Sequence, residues 1–269
     1  MDRNIYFLAF LFLLVTSCDQ NSSEFTDTPI IEAYLRPGDL LNLVVSRQIP
    51  FSSDVEYSSD DLENLIIRVT HEGKTDTLVS TGDGRYVDSS LVVTGGGEYF
   101  LSFDYNSKTV SAYTRVPVKP LNFIQSAISI SVDRMDSTMG PPSGGPGSMP
   151  DPVSLTWDNT DGSYYIVVIE NMEATLDPIR DFGDDDRPVN VFRKPPTTAS
   201  GLQLRPQEFQ YFGLHRLILY HVLPDYASLY SESSNSSQNL TNPSTSITNG
   251  YGIFTGLNAD TLYLQVKEN

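Results

Sequence analysis

Apolar and polar positions alternate with a period of two over much of the chain, the spacing of strands whose two faces meet different surroundings. Ile30 to Leu35 is the first such segment, stopped by the turn string Arg36-Pro37-Gly38-Asp39. Leu41, Leu43 and Val45 then alternate with Asn42, Val44 and Ser46. Leu65 to Thr70 turns at Glu72-Gly73-Lys74 into Thr77 to Ser80, which predicts a hairpin. The clearest case is EYFLSFDYNSKTVSAYTRVPV. Tyr99, Leu101, Phe103 and Tyr105 fall on one face, Asn106-Ser107-Lys108 turns, and Val110, Ala112, Thr114 and Val116 return. So many short strands in succession predict a β-sandwich with one core, closed by a stiff hinge at Pro117 and Pro120.

A second unit follows. Ile124 to Val132 is strand-like, whereas MGPPSGGPGSMPDP, Met139 to Pro152, is too rich in Pro and Gly for a packed element and predicts a long surface loop. Val153, Leu155 and Trp157 alternate, Asp161-Gly162 turns, and Tyr165, Val167 and Ile169 alternate again. This strand, turn and strand with an inward Trp resembles the second and third strands of a fibronectin type III or immunoglobulin-like domain. His215 to Val222 is a further strand. LPDYASLYSES predicts a short helix with Pro224 in its first turn. Ser231 to Asn249 is a polar loop, and Gly252 to Thr255 and Thr261 to Val266 are two closing strands. The expected fold is all-β: two tandem immunoglobulin/fibronectin-III-like β-sandwich domains, residues 29–118 and 119–269, with one short helix near the C-terminus. A hydrophobic content of 39% with 11% aromatic residues is enough to close such cores.

The N-terminal region breaks the alternation. The apolar run Ile5–Val15 is about half the roughly 20 residues that cross a bilayer core, and it follows Arg3, so residues 1–17 read as a secretory signal. Val15-Thr16-Ser17-Cys18 resembles the bacterial lipobox, in which the signal is cut before Cys and the thiol takes up lipid. Cys18 is the only cysteine of the chain, so no thiol remains for a disulfide or a metal. Residues 18–28 would be a tether, and several acyl chains at about 0.8 kcal/mol per methylene would hold the protein on a membrane. The net charge of −17 argues against a surface that tracks phosphates, and so against a nucleic-acid partner.

Five segments occur in order: the lipobox Cys18, IIEAYLRPGDLLNLVVSRQIPF, YFLSF…VSAYTRVPV, the stretch from Trp157 to Ile169, and PSTSITNGYGIFTG. That order is similar to the Bacteroidota lipoprotein family known as domain of unknown function 4249. The resemblance covers nearly the whole chain. It implies an outer-membrane lipoprotein, commonly encoded beside TonB-dependent receptors, and it supplies no catalytic residues. Asp19 and Glu24 after Cys18 are acidic where surface-export signals of Bacteroidota lipoproteins are acidic, which points to the cell surface.

Chemistry-bearing residues are few. There are three histidines; His215 and His221, six apart on one strand, share a side about 20 Å apart and cannot share a metal. With His71 they read as rim or half-buried residues. Asp181, Asp184, Asp185 and Asp186 in DFGDDDRP are a conceivable calcium loop, but they lack EF-hand spacing and read better as a solvated loop. Asp54, Asp60, Asp61 and Glu63 read as a loop and helix-cap signal. Ser137 and Thr138, in Asp136-Ser137-Thr138, resemble the three-residue O-glycosylation signal of Bacteroidota. Phe209, Tyr211, Phe212, Tyr226 and Tyr230 fill a core end or line a recognition surface. No nucleophile elbow, phosphate loop or zinc-protease motif occurs. The expected activity is therefore binding through the loops Met139–Pro152, Asp181–Pro188 and Ser231–Asn249, as an accessory subunit of a TonB-dependent receptor. A stand-alone adhesin or glycan-binding module and, further off, a carboxylate-dependent hydrolase are the alternatives.

Overall fold

Residues 27–48, 62–135, 151–180, 189–233 and 245–269 are described by the computed structural model. The first two strands follow the alternation: β1 (Pro29–Leu35) buries Ile31, Ala33 and Leu35, and β2 (Leu40–Arg47) buries Leu41, Leu43 and Val45. They pair antiparallel across the Arg36–Asp39 turn. The next hairpin, β3 (Arg68–His71) and β4 (Lys74–Thr77), is shorter than the alternation predicts. After Leu78 the chain leaves it, and β5 (Val79–Gly82) pairs instead with β6 (Arg85–Val92) in the opposite sheet. The predicted long hairpin forms as β7 (Glu98–Tyr105) and β8 (Lys108–Arg115), turning at Asn106 and Ser107, both at positive φ. Between the two sheets lies a core that includes Tyr86, Tyr99 and Phe103.

In the second unit the strand expected over 124–132 is split. β9 (Ile124–Gln125) pairs with β11 (Val153–Thr156), while β10 (Ser129–Val132) crosses to the other sheet. β12 (Tyr164–Asn171) pairs with β13 (Val191–Arg193) on one side and with β15 (Gly213–Val222) on the other. β14 (Gly201–Leu204) joins β11. The Asp161-Gly162 turn therefore carries the chain between sheets. Trp157, Tyr165, Val167, Ile169, Phe209 and Leu217 share the second core. The predicted helix is α1 (Pro224–Ser233).

The largest departure comes at the end of the chain. Two closing strands are expected, but after the short β16 (Ile247–Thr248) a single strand of 18 residues, β17 (Tyr251–Glu268), is found. Its first part pairs parallel with β1, from Ile30 opposite Tyr251 to Leu35 opposite Gly256. Its second part pairs antiparallel with β15 from Leu257 to Val266. The polar Asn258 and Asp260 do not form a turn: Asn258 donates to the Pro117 carbonyl at 3.0 Å, and Asp260 pairs with Lys119 at 2.9 Å. Ile247 and Phe254 lie in the first core and Leu264 in the second. The expected unit 119–269 thus returns part of itself, residues 247–256, to the first sandwich. One nine-stranded sheet, β13-β12-β15-β17-β1-β2-β6-β5 with β10 beside β17, runs through both units; β14-β11-β9 and β16-β8-β7-β3-β4 face it. The fold is all-β, with strands in sandwich-like sheets and one helix near the C-terminus. Among the described residues no helix is long and apolar enough to cross a membrane.

Candidate functional site

β12 is buried on both faces, from Tyr165 through Ile169. Val167 and Ile169 point into the second core, so Ile166 and Val168 face outward and need another cover. α1 supplies it. Ala227 is buried against the outer face with Ile166, Val168, Ile218, Val222 and Leu257. The helix starts firmly: Pro224 opens it, and the Asp225 carboxylate accepts the Tyr226 amide at 2.8 Å and the Thr255 hydroxyl at 3.0 Å. Thr255 belongs to β17, so the strand shared by the two units also fixes the helix. Burial raises the Asp225 pKa, against the pull of those two bonds.

Beside the helix the cover is incomplete and leaves a small cleft, open to solvent on one side. Ile166, Val168, Val222 and Leu257 form its floor. Tyr220, Tyr226 and Tyr230 form its walls. Arg36, from the β1–β2 turn, and Arg193, from the end of β13, stand at its rim. Tyr226 is edge-on to Tyr34 at 5.9 Å and tilted towards Tyr230 at 6.4 Å. Burial raises the pKa of Tyr226, helped by Tyr230, while Arg193 and Arg36 pull it down. Tyr34 is pushed up to about 12, first by burial and then by the Glu32 carboxylate on the same face. Tyr34 and Tyr226 are therefore neutral at physiological pH. Both rim arginines are exposed, and among the described residues neither is ion-paired. Arg47, Arg134 and Arg216, by contrast, are held by Asp27, by Asp177 and Glu268, and by Glu170.

Several candidates read from the sequence lie outside the described residues: Cys18, Asp54, Asp60, Asp61, Ser137, Thr138, Asp181, Asp184, Asp185 and Asp186, with most of the loop Met139–Pro152. Among the described residues no group of three His, Cys, Asp or Glu side chains is placed to hold a metal ion. The histidines are apart and structural. His71 stacks on Tyr99 at 4.3 Å. His221 stacks on Tyr165 at 4.8 Å, with Nδ1 3.0 Å from the Val118 carbonyl. His215 is not the rim or half-buried residue expected. At 2% exposure it lies within the second core, edge-on to Phe209, because that aromatic folds over it. Phe209 and Phe212 fill the same core, while Tyr226 and Tyr230 line the cleft. Arg36, Arg193 and Tyr220 were not singled out by pattern. The available signal was the apolar outer face of YYIVVIEN, which needs a partner.

The sequence model of the family described as Domain of unknown function (DUF4249) matches residues 15–262, a span that holds the cleft and most of the shared strand. No curated protein matches the chain. Among solved structures the chain is similar to the FN1–FN3 domains of chicken CNTN1, at 10% identity and a TM-score of 0.29, over 90% of this chain and 66% of that one. It therefore spans a little less than two thirds of that chain's length.

Proposed function

We propose that this chain, which belongs to the family described as Domain of unknown function (DUF4249), is a lipid-anchored outer-membrane protein that works by binding. In this reading Cys18 carries the lipid, the two sandwiches face outward from the cell, and the protein serves a TonB-dependent receptor as an accessory subunit. It captures a ligand and hands it over without chemical turnover and without a cofactor. The observation that carries the reading is the cleft: three tyrosines and two arginines gathered on two strands, a helix and the tight β1–β2 turn, the residue types that dominate recognition hot spots. Their support is the sheet that joins both units, so recognition rests on regular elements and not only on the loops expected to make the contacts. The lipobox-like VTSC and the extent of the family match support the membrane role.

Purification of the natural protein from detergent-solubilised membranes tests this. The expected product begins at an acylated Cys18 and carries a β-barrel receptor in stoichiometric amount, and Cys18→Ala moves the protein to the soluble fraction. A chain without fatty acid that still begins at Met1 refutes the anchored reading. An acylated chain with no receptor selects a stand-alone adhesin or glycan-binding module.

A further inference from the structure

We infer that the cleft beside α1 takes a small ligand in which a carboxylate is carried on a ring. The inference deepens the proposed function, since it rests on the reading that the protein works by binding at this cleft. Its first support is charge. The chain has 34 acidic and 17 basic residues, and Arg47, Lys74, Lys119, Arg134, Lys194 and Arg216 are each paired with a carboxylate. Arg36 and Arg193 come from elements far apart in sequence and reach the same hollow, and among the described residues neither is ion-paired. Two cationic groups at the rim of one hollow repel each other, and a bound anion relieves that repulsion. An anion from solution completes the site, and the planar guanidinium with its fork of donors matches a carboxylate in two-point contact.

The second support is shape. Below the arginines the walls are half-buried tyrosine rings over an aliphatic floor, so a bare anion would leave the ring faces uncovered. A ring attached to the carboxylate would lie against the half-buried Tyr220 or Tyr230, above an aliphatic floor that is already covered, as aromatic and sugar rings do on aromatic faces. The hollow is small and open to solvent, well short of an ordinary drug-sized pocket; it suits a single ring and not a folded partner. An acidic sugar and an aromatic carboxylate both satisfy this chemistry.

Titration calorimetry on the full-length, detergent-solubilised protein separates them, with four probes: glucuronate, 4-hydroxybenzoate, glucose and acetate. At least one of the first two is expected to bind at least tenfold more tightly than glucose, which lacks the charge, and than acetate, which lacks the ring. Glucuronate leading identifies an acidic sugar, and 4-hydroxybenzoate leading an aromatic acid. Arg36→Gln and Arg193→Gln should each weaken binding about tenfold without shifting the melting temperature, since both side chains are exposed. Raising sodium chloride from 50 to 300 mM should weaken it further. Equal affinity for glucose or acetate, binding that survives both arginine substitutions, or no binding of either ring carboxylate overturns the inference. Failure here with a co-purifying receptor removes the ligand class alone. Binding here by a chain found unanchored leaves the cleft standing and removes the membrane role.

Discussion

His215 sits deep in the second core, its Nδ1 3.1 Å from the Gly213 carbonyl and Nε2 near Asn171. Burial holds its pKa below the usual value, and Glu173 only partly offsets this. The unfolded chain keeps a histidine pKa of about 6.5. Between that value and the lower folded one, the unfolded state holds the extra proton. Stability is therefore complete above about pH 6.5 and declines as pH falls towards the folded pKa. His221, also lowered by burial, acts with the same sign. Asp225 acts in the opposite sense, since its raised pKa costs stability as pH climbs above about 3.9. Melting curves at pH 7.5 and pH 5 should show a lower Tm in acid. His215→Gln should lower Tm at both values yet narrow the gap between them, and an unchanged gap would exclude His215 as the source. The spacing of the two histidines on one side of a strand was readable from the sequence. The depth of His215 was not, because Phe209 and Asn171 reach it from other elements.

At the scale of elements, the close passage of β17 over β8 depends on a missing side chain. A Cβ at Gly256 would stand 2.5 Å from the Val116 Cα and 2.7 Å from the Arg115 carbonyl oxygen, both backbone atoms that cannot swing away. Four residues earlier Gly252, at φ 96°, brings the same strand against the Ile31 carbonyl. Gly256→Ala should cost about 2 kcal/mol, the range of overpacking in a tight interior. In urea this appears as a lower midpoint with an unchanged slope; an unshifted midpoint would mean that β17 and β8 have room to separate. Alternation in the sequence located β1, β2, β7, β8, β15 and α1, because a period of two reports which face is buried. It does not report which strand lies alongside. For that reason the reading went astray where the chain changes sheets, at Leu78 and within 124–132, and at Asn258 and Asp260, whose polar side chains reach the 117–119 connection and do not make a turn. The apolar floor of the cleft was visible in Ile166 and Val168. Its arginines were not, since an exposed charge leaves no periodic trace.

Across the whole molecule, β1 sets a direction. At its start Asp27 accepts the Tyr105 hydroxyl at 2.8 Å and lies 3.7 Å from Arg47, and at its end the chain turns at Arg36 into the cleft. Seven residues at about 3.3 Å each separate these ends by roughly 20 Å. The start of β1 and the cleft therefore lie at opposite ends of this strand, and the cleft draws residues from both units. This geometry requires the two units to move as one, and β17 supplies the coupling: Phe254 is fully buried in the first core and Leu264 in the second, on one uninterrupted strand. The junction is tied again by His221 at the Val118 carbonyl and by Asn258 at Pro117. Scanning calorimetry should accordingly give one transition, with calorimetric and van't Hoff enthalpies equal. Phe254→Ala, which empties a large aromatic site in the first core at about 3 to 5 kcal/mol, should move that transition as a whole and not split it. Two peaks, or a shift confined to one of them, would show the sandwiches to be independent. Arg36 and Arg193 would then have no fixed separation across which to hold a ligand.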